Sequence, residues 1–567
     1  MTPDAKSPPS TIQWLWQLSR ALGRPVRGLL AFSLVVNLLL LVSPLYMLQI
    51  YDRVLASGSR DTLIWLTVIA VFLLVIYAAA EAGRRRLSAM AGQALDTELS
   101  EKAFARFERS LDPAHSLPQD LSNISRAQAP FQNATMLAFC DLPFTPFFIA
   151  VLFLIHPTLG WLSLVGALIV FAVAALSEWA SRGPASEAAL SGARASQLAE
   201  GLARQRSALV AMGLVPRAYQ TWRSVKAEGE PRAAQASRSD SAFTAVSRAL
   251  RQILQVFILG AGAALALMQE LSPGGIVAAS IILSRALAPI DMIVGSWRAI
   301  VQAKTAWGEA HQRLGHISLI EDRTALPGPA AHLSVDRLSV AAPGSEVPLV
   351  RPFSVEVEAG TLVGLLGTNG SGKTTLLQTL AGAWPMDSGS ASLGGRDIHD
   401  WPSADRGRHV GYVPQDVELF PGTVARNISR FGFGTDEDMF AAARAAGAHD
   451  LILGLPAGYD TLVGPGGVHL SAGQRQLVGM ARAFFRAPVL MLLDEPTANL
   501  DADAAGHAIH ALRTMVSEGR IAIVATHDAR LLAEADIVFT LDRGAIIAQP
   551  VRGAAPGKAI SKIREVK

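Results

Sequence analysis

A glycine-rich stretch, GTNGSGKTT, has residue types and spacing suited to nucleotide phosphates. The residues before it, TLVGLLG, have the pattern of a buried strand, and LLQTLAG after it has that of a helix. In such a unit, backbone N–H groups surround the phosphates, Lys373 places a positive charge at the β- and γ-oxygens, and Thr374 is a Mg²⁺ ligand. A glycine-rich turn without a ligand is the alternative, and it leaves the flanking strand and helix unexplained. We expect the nucleotide to bind Gly367, Thr368, Asn369, Gly370, Ser371, Gly372, Lys373, Thr374 and Thr375.

Two carboxylates end a second apolar segment, VLMLLDEP at 489–496. Asp494 stands where a Mg²⁺ ligand is needed, bound directly or through water. Glu495, the next residue, is expected to act as the general base on the attacking water. Carboxylates that merely end a strand are the alternative reading, and the phosphate-binding loop upstream makes that reading the weaker one.

Three further polar residues follow apolar segments or precede helices. They are Gln415 in YVPQD, Asp501 in TANLD and His527 at the end of IAIVATH. A single glutamine or histidine is usually structural, but the order of these residues and their strand context favour a shared site. A second anion-binding feature is LSAGQ at 470–474, where we expect a helix to begin at Ser471.

The elements that carry these residues occupy only the second half of the chain. Half of the 567 residues are hydrophobic and 17 % are charged, and the mean hydropathy is +0.31. These values indicate a membrane part joined to a soluble part. The first of six long apolar runs has 22 residues, enough for a ~30 Å hydrocarbon core. The runs cover residues 29–50, 62–80, 136–155, 158–178, 250–268 and 274–295.

The distribution of Lys and Arg predicts the orientation of these spans. Arg84, Arg85 and Arg86 follow the second span and the loop 181–249 is rich in arginine, whereas the loop 269–273 has no basic residue. We therefore place the long loops and both termini in the cytoplasm, with turns at 118–128 and 209–223. Ionisable residues in or near the spans are Asp141, Arg285 and Asp291. A packing role and a transport role are equally compatible with them.

The cysteine count and the net charge of the chain say little about its function. The single cysteine, Cys140, excludes an intrachain disulfide and is expected to be a small buried residue. The formal net charge of +3 is small for this length and argues neither for nor against nucleic acid. We expect no nucleic-acid partner.

The motifs together resemble the ATP-binding cassette (ABC) family. GTNGSGKTT looks like its Walker A motif, YVPQD its Q-loop, LSAGQ its signature, LLDEP its Walker B motif, NLD its D-loop and ATH its switch histidine. The resemblance implies an α-helical membrane domain with six transmembrane helices, fused to an α/β P-loop ATP-binding cassette. It also implies that Gln415 senses Mg²⁺ or water and that His527 contacts the γ-phosphate, with Asp501 completing the catalytic set.

In this family the signature serves the ATP of a second chain. The resemblance therefore implies a homodimer with two ATP sites, each combining Walker A of one copy with Ser471, Gly473 and Gln474 of the other. The usual signature has glycine at position 472. Ala472 adds a methyl group and disfavours positive φ, so we expect weaker but not abolished clamping of ATP.

The membrane half is similar to the type I secretion permease/ATPase family, through VSPLYMLQIYDRVLASGSRDTLIWLT and FCDLPFTPFFIAVLFLIHPTLG. This resemblance implies an ATP-driven exporter of polypeptides in the bacterial inner membrane. Its expected partners are a periplasmic membrane-fusion adaptor, an outer-membrane channel and a secreted polypeptide with a C-terminal signal. We expect no peptidase domain. The expected divisions are an interfacial segment 1–28, a membrane domain 29–310, a linker 311–330, the cassette 331–550 and a basic tail 551–567.

Two departures and two alternatives accompany the resemblance. The family often stacks an aromatic residue on adenine, but the corresponding segment offers only Ala341 and Ala342, and Pro465 replaces a usual glutamate before the signature. An exporter of lipids or small molecules has the same architecture. A non-hydrolysing, ATP-gated channel or regulator belongs to a different class, and the presence of Glu495 and His527 argues against it.

Overall fold

The computed structural model describes residues 23–109, 117–317, 328–342, 345, 347–464, 466–550 and 564–565. The chain divides into two compact units, Met1–Leu319 and Ile320–Lys567. Several sequence predictions concern residues outside the described ranges: most of the interfacial segment 1–28, much of the linker, Pro465 and most of the tail.

The described part of the first unit is α-helical. Three of its helices are very long, since Arg60–Arg109 has 50 residues, Pro157–Arg204 has 48 and Val215–Leu267 has 53. At 1.5 Å per residue each is about 70–80 Å long, far more than a ~30 Å hydrocarbon core requires. The longer helices are α1 (Arg24–Leu39), α2 (Val42–Gln49), α3 (Arg60–Arg109), α4 (Leu117–Gln132), α5 (Thr135–Asp141), α6 (Thr145–Ile155), α7 (Pro157–Arg204), α8 (Arg206–Ala211), α9 (Val215–Leu267), α10 (Pro273–Gly295) and α11 (Trp297–Leu314). A π-helix (Ile50–Val54) and a three-residue helix (Leu55–Ser57) continue the chain after α2.

Five helical segments in the described ranges are long and apolar enough to cross a membrane. They are Pro25–Ser57, Arg60–Glu108, Thr135–Ile155, Val215–Leu267 and Pro273–Gly295. A sixth and shorter apolar stretch, Pro157–Val173, opens α7. The six segments overlap the six predicted spans. His156 has an extended backbone between α6 and α7, which makes a very short connection between these two helices.

The third span is interrupted near its start. Helix α5 ends at Asp141, a 3₁₀ turn covers Leu142–Phe144, and α6 begins at Thr145. Pro143 and Pro146 lack a backbone N–H, so the regular ladder of helical hydrogen bonds cannot continue through them. The chain nevertheless stays helical on both sides of this turn.

One predicted turn is wrong. Residues 118–128 belong to α4, where Ile124, Ala127 and Phe131 are buried at helical spacing among residues of α3 and α11. This apolar stripe outweighs the local preference of the Ser, Asn and Pro residues for turns. The second predicted turn, 209–223, contains a chain reversal at Gly213, whose φ is 63°, between α8 and α9.

The acidic residues of the spans are paired within the first unit. Asp141 Oδ1 lies 2.5 Å from Arg84 Nη1 and accepts a hydrogen bond from Asn37 Nδ2 over 2.7 Å. Asp291 Oδ2 lies 2.8 Å from Arg251 Nη1. These contacts join α1, α3 and α5 in one case and α9 and α10 in the other, which supports the packing role. Arg285 is exposed on α10.

The second unit is an α/β fold built on two larger sheets. A six-stranded sheet has the order β12-β11-β3-β10-β9-β6 and is parallel except for the β11–β12 pair. A five-stranded antiparallel sheet has the order β13-β2-β1-β4-β5. The strands are β1 (Leu333–Ala341), β2 (Pro348–Val357), β3 (Leu362–Gly367), β4 (Ser388–Leu393), β5 (Arg396–Asp397), β6 (Val410–Val413), β7 (Gly422–Thr423), β8 (Leu462–Val463), β9 (Leu490–Asp494), β10 (Ile521–Ala525), β11 (Ile537–Asp542), β12 (Ala545–Pro550) and β13 (Arg564–Glu565).

The central strands β9 and β10 are buried at every position, as near-continuous apolar runs predict for parallel strands covered on both faces. The carboxyl ends of parallel strands meet at one edge of a sheet, where ligands bind in open α/β folds. The helices of this unit are α12 (Lys373–Leu380), α13 (Ser403–His409), α14 (Val424–Ile428), α15 (Asp436–Ala445), α16 (His449–Leu453), α17 (Ala472–Phe484), α18 (Ala502–Ser517) and α19 (Ala529–Glu534).

Candidate functional site

The phosphate-binding loop connects β3 to α12 at the carboxyl edge of the six-stranded sheet. Gly370 and Gly372 have φ values of 80° and 105°, which a residue with a side chain adopts only with strain. At Gly367 a Cβ atom would lie 2.7 Å from the carbonyl oxygen of Leu541 on β11. Glycine at these positions therefore permits both the turn and the close approach of two strands.

Lys373 is the first residue of α12 and its side chain is buried. Its Nζ donates hydrogen bonds to the carbonyl oxygens of Gly367, over 2.7 Å, and Thr368, over 3.2 Å. The ammonium group is thus held over the loop by backbone dipoles. Its positive charge lies beside the N–H groups that open the helix, and both attract phosphate.

Thr374 and Asp494 join the loop to the end of β9. The Thr374 hydroxyl donates to Asp494 Oδ2 over 2.5 Å. Burial raises the pKa of Asp494 above its ordinary value, and the Thr374 hydrogen bond and the charge of Lys373 act in the opposite direction. A hydroxyl and a carboxylate are oxygen ligands of the kind that Mg²⁺ prefers.

Glu495 and His527 meet beside this pair. The register of β9 and β10 places Ala525 opposite Asp494, so the next residues of both strands are neighbours. His527 Nε2 lies 3.9 Å from Glu495 Oε1, too far for a direct hydrogen bond. Glu495 has a left-handed backbone, with φ at 48°, and its N–H donates to Ala525 O over 2.8 Å.

Gln415 and Asp501 occupy the borders of this group. Gln415 is exposed and lies two residues after β6, the strand beside β9. Asp501 is the N-cap of α18, where its Oδ1 accepts a hydrogen bond from Ala504 N over 2.8 Å. Ser371 lies in the phosphate-binding loop and Thr375 lies in α12. The Ser371 hydroxyl is buried and has no hydrogen-bond partner among the described residues.

The signature forms the N-terminus of α17. Ser471 and Gln474 make a capping box: Gln474 N donates to Ser471 Oγ over 3.2 Å, and Ser471 N donates to Gln474 Oε1 over 2.8 Å. This confirms the helix start predicted at Ser471. Within the part of the chain that the structure describes, no hydrogen bond or ion pair joins the signature to residues 367–375.

Ala472 and Gly473 differ in what they require of the backbone. Ala472 is the first residue of α17 and does not have positive φ, so its methyl group causes no left-handed strain at this position. Position 473 requires glycine more strictly, since a Cβ there would lie 2.6 Å from the carbonyl oxygen of Asn499. The signature helix thus packs directly on the segment that follows the Walker B carboxylates.

Gln476 was not among the predicted site residues, yet it contacts this segment as well. It is fully buried on α17, and its Nε2 donates to Pro496 O over 3.2 Å and to Glu495 O over 3.5 Å. The sequence carries a signal for it: Gln476 lies on the apolar stripe of α17 with Met480 and Phe484, at i, i+4 and i+8.

Comparison with known proteins agrees with this geometry. Residues 350–498 match the ABC transporter family. The chain is 37 % identical to the type I secretion system ATP-binding protein PrsD of Rhizobium meliloti, over 90 % of this chain and 89 % of that protein. It is 28 % identical to the cyclolysin secretion/processing ATP-binding protein CyaB of Bordetella pertussis, over 91 % and 74 %.

The fold has a solved counterpart. The structure of a bacterial Atm1-family ABC exporter with ATP bound matches with a TM-score of 0.78, over 94 % of this chain and 95 % of that chain. The sequences are 21 % identical, so this likeness concerns the fold. It includes both the helical unit and the α/β unit.

Proposed function

The chain belongs to the type I secretion ATP-binding proteins of the ABC transporter family, and from this premise we propose that two copies export a polypeptide across the bacterial inner membrane. The chain is an ATPase with a multi-pass membrane unit and a cytoplasmic cassette. Our proposal adds that each of its two ATP sites combines residues of both copies. A periplasmic adaptor and an outer-membrane channel complete the export path.

The observation that carries the proposal is the joining of Thr374, Asp494 and Lys373 at the carboxyl edge of the parallel sheet. In this arrangement the loop N–H groups and Lys373 bind the ATP phosphates. Thr374 and Asp494 would hold Mg²⁺, whose charge would offset that of the phosphate oxygens. The described residues include no group of three His, Cys, Asp or Glu side chains placed to hold a metal, so in this proposal phosphate oxygens would supply further Mg²⁺ ligands.

Glu495 and His527 perform the chemistry in this proposal. Glu495 accepts a proton from the attacking water, whose oxygen bonds to the γ-phosphorus as the bond to the β–γ bridging oxygen breaks. His527, 3.9 Å from Glu495, holds the γ-phosphate oxygens. Gln415 would sense the Mg²⁺ ion or the attacking water, and Asp501 would position the segment between the two copies.

The two-copy site is supported by the location of the signature. Ser471 and Gln474 already satisfy each other in a capping box, and their helix N-terminus makes no bond to the loop of the same chain within the described residues. A helix N-terminus attracts phosphate, so a second copy placed head to tail completes each site.

Mixed dimers test this arrangement. Lys373→Ala disables one chain's phosphate loop and Ser471→Arg disables the other chain's signature. Each variant alone lacks an intact site, whereas a tagged and purified mixed dimer has one. We expect the mixed dimer to recover about half of the wild-type ATPase rate and each parent less than about a hundredth, in line with loss of essential groups. Equal inactivity of all three dimers would refute the two-copy site.

The polypeptide substrate needs a separate experiment. ATPase activity of the reconstituted full-length chain is measured with a C-terminal segment of the polypeptide that its adaptor exports, with a scrambled segment and with lipid alone. Stimulation only by the native segment is the expected result. Stimulation by lipid and not by the segment would instead support a lipid exporter.

A further inference from the structure

We propose that Gln476 is a positioning residue for Glu495, so that the signature helix of each chain holds that chain's own general base. The inference rests on the proposed function, because it takes Glu495 as the base and the signature as part of the other ATP site. It adds a mechanical link between the two sites within one chain.

The first evidence is the pair of hydrogen bonds from one amide group. Gln476 Nε2 donates to Pro496 O over 3.2 Å and to Glu495 O over 3.5 Å. On the other side of the turn, Glu495 N donates to Ala525 O over 2.8 Å. The backbone of Glu495 is therefore held from α17 and from β10 at once.

The second evidence is the strained conformation that these contacts hold. Glu495 has φ at 48°, a region that residues with side chains rarely occupy. Such conformations persist only where the surroundings determine them, and they are concentrated at functional sites. Loss of the Gln476 amide would release one of the restraints on this backbone and would let the carboxylate move.

The third evidence is that the Gln476 amide is engaged on one side only. Gln476 is fully buried, and its Oε1 has no hydrogen-bond partner among the described residues. A buried acceptor without a partner is destabilising. The bonds that offset this cost come from Nε2 alone and go to the backbone of Glu495 and Pro496, so the glutamine serves this segment specifically.

The consequence is a path from one ATP site to the other. Ser471 begins α17, Gly473 packs on the Asn499 carbonyl, and Gln476 holds Glu495 and Pro496. Movement of α17 when its N-terminus engages the partner's nucleotide would move the base of the chain's own site. Occupancy of one site thereby adjusts hydrolysis at the other.

The mixed dimer separates this role from damage to the signature helix. In that dimer only the Ser471→Arg chain has an active Glu495, and only the Lys373→Ala chain has an active signature. Gln476→Met, or the shorter amide in Gln476→Asn, is placed in one chain or the other. We expect a fall in kcat of about tenfold or more in the Ser471→Arg chain and less than about twofold in the Lys373→Ala chain. The KM for ATP should change less than about threefold in both, because phosphate binding remains.

Asn427→Leu in the Ser471→Arg chain is the matched control. Asn427 is another buried amide that donates to loop carbonyls, those of Phe420 and Thr423, outside the group around Glu495. It should change kcat less than about twofold. Equal losses in both placements with both Gln476 variants, a larger loss in the Lys373→Ala chain, or no loss in either would overturn the inference. An inactive parental mixed dimer would instead refute the proposed function.

Discussion

The hydroxyl of Thr374 donates a hydrogen bond to Asp494 Oδ2 over 2.5 Å, across 120 positions of sequence. This contact joins the start of α12 to the end of β9 before any nucleotide is considered. It also fixes the relative positions of two oxygen atoms that the proposed Mg²⁺ ion would bind. The site is therefore preorganised, which lowers the cost of ordering its ligands.

The pH dependence of ATP hydrolysis should reflect Asp494. Its pKa is raised by burial, so it takes up a proton at a higher pH than an exposed aspartate does. The protonated carboxyl is a poor Mg²⁺ ligand. We expect the apparent Mg²⁺ affinity, measured from ATPase rates at varied Mg²⁺, to fall as the pH decreases through this raised pKa. Thr374→Val removes a hydrogen bond that lowers the pKa of Asp494. In this variant the Mg²⁺ affinity should therefore already be lost at a higher pH than in the wild type.

The free energy of unfolding of the nucleotide-free protein should change with pH in the opposite direction to the Mg²⁺ affinity. The folded state binds the Asp494 proton more tightly than the unfolded state, so this group's contribution to the free energy of unfolding rises as pH falls through the raised pKa. Thr374→Ser keeps the hydroxyl and serves as the control, with an unchanged pH profile. A Thr374→Val profile identical to wild type would contradict the assignment of Asp494.

Adjacent substitutions in the signature should have unequal effects. In Gly473→Ala the new Cβ would lie 2.6 Å from Asn499 O, so the segment after Glu495 must shift. We expect destabilisation of about 1–3 kcal/mol, as for other overpacked sites, and an ATPase rate at least about tenfold lower. Ala472→Gly removes a methyl group at the first position of α17 and costs at most about 1 kcal/mol.

Thermal unfolding and ATPase rates of both variants check this prediction. Ala472→Gly should leave the rate unchanged or raise it. A large loss in Ala472→Gly together with a normal Gly473→Ala enzyme would show that the methyl group, and not the close backbone approach, is the essential feature of the signature.

Local patterns account for what the sequence predicts well. The glycine spacing before Lys373 and the cap at Ser471 depend on residues a few positions apart, so both were predictable. The partners of Asp141 and Asp291 come from distant helices, and no local pattern identifies them. The helix at 118–128 formed because burial of Ile124 and Phe131 outweighs local turn preference. The weaker clamping of ATP expected from Ala472 stays a prediction, because it concerns a nucleotide held between two copies of the chain.

His527 and Glu495 should act on the same step. Their side-chain atoms lie 3.9 Å apart, and neither is within the phosphate loop. His527→Ala should lower kcat by about 10²-fold or more while ATP still binds, because a positioned polar group at the reacting phosphate is lost. Single-turnover hydrolysis and nucleotide-binding assays measure the two effects separately. Adding Glu495→Gln should cause little further loss, since groups that act as a unit are not additive; fully multiplicative losses would contradict a shared step.

The buried pair of the membrane unit gives a prediction about folding. Arg84 Nη1 lies 2.5 Å from Asp141 Oδ1, and Arg84 Nη2 lies 2.6 Å from Glu81 Oε2 on the same helix; the Arg84 and Asp141 side chains are 7 % and 18 % exposed. Arg84→Leu leaves the Asp141 carboxylate without its cation and should destabilise the fold by roughly 3–5 kcal/mol. The double variant Arg84→Leu/Asp141→Leu also removes the uncompensated Asp141 charge, while Glu81 keeps Arg85 as its partner, and it should be more stable than the single variant.

Thermal unfolding of the full chain in detergent measures this difference. Arg85→Leu is the matched control, since Arg85 is 65 % exposed and its partner Glu81 keeps the ion pair with Arg84; it should cost less than about 1 kcal/mol. If the double variant were less stable than Arg84→Leu alone, the two side chains would stabilise the fold through their packing against α1 and α3 and not through charge compensation.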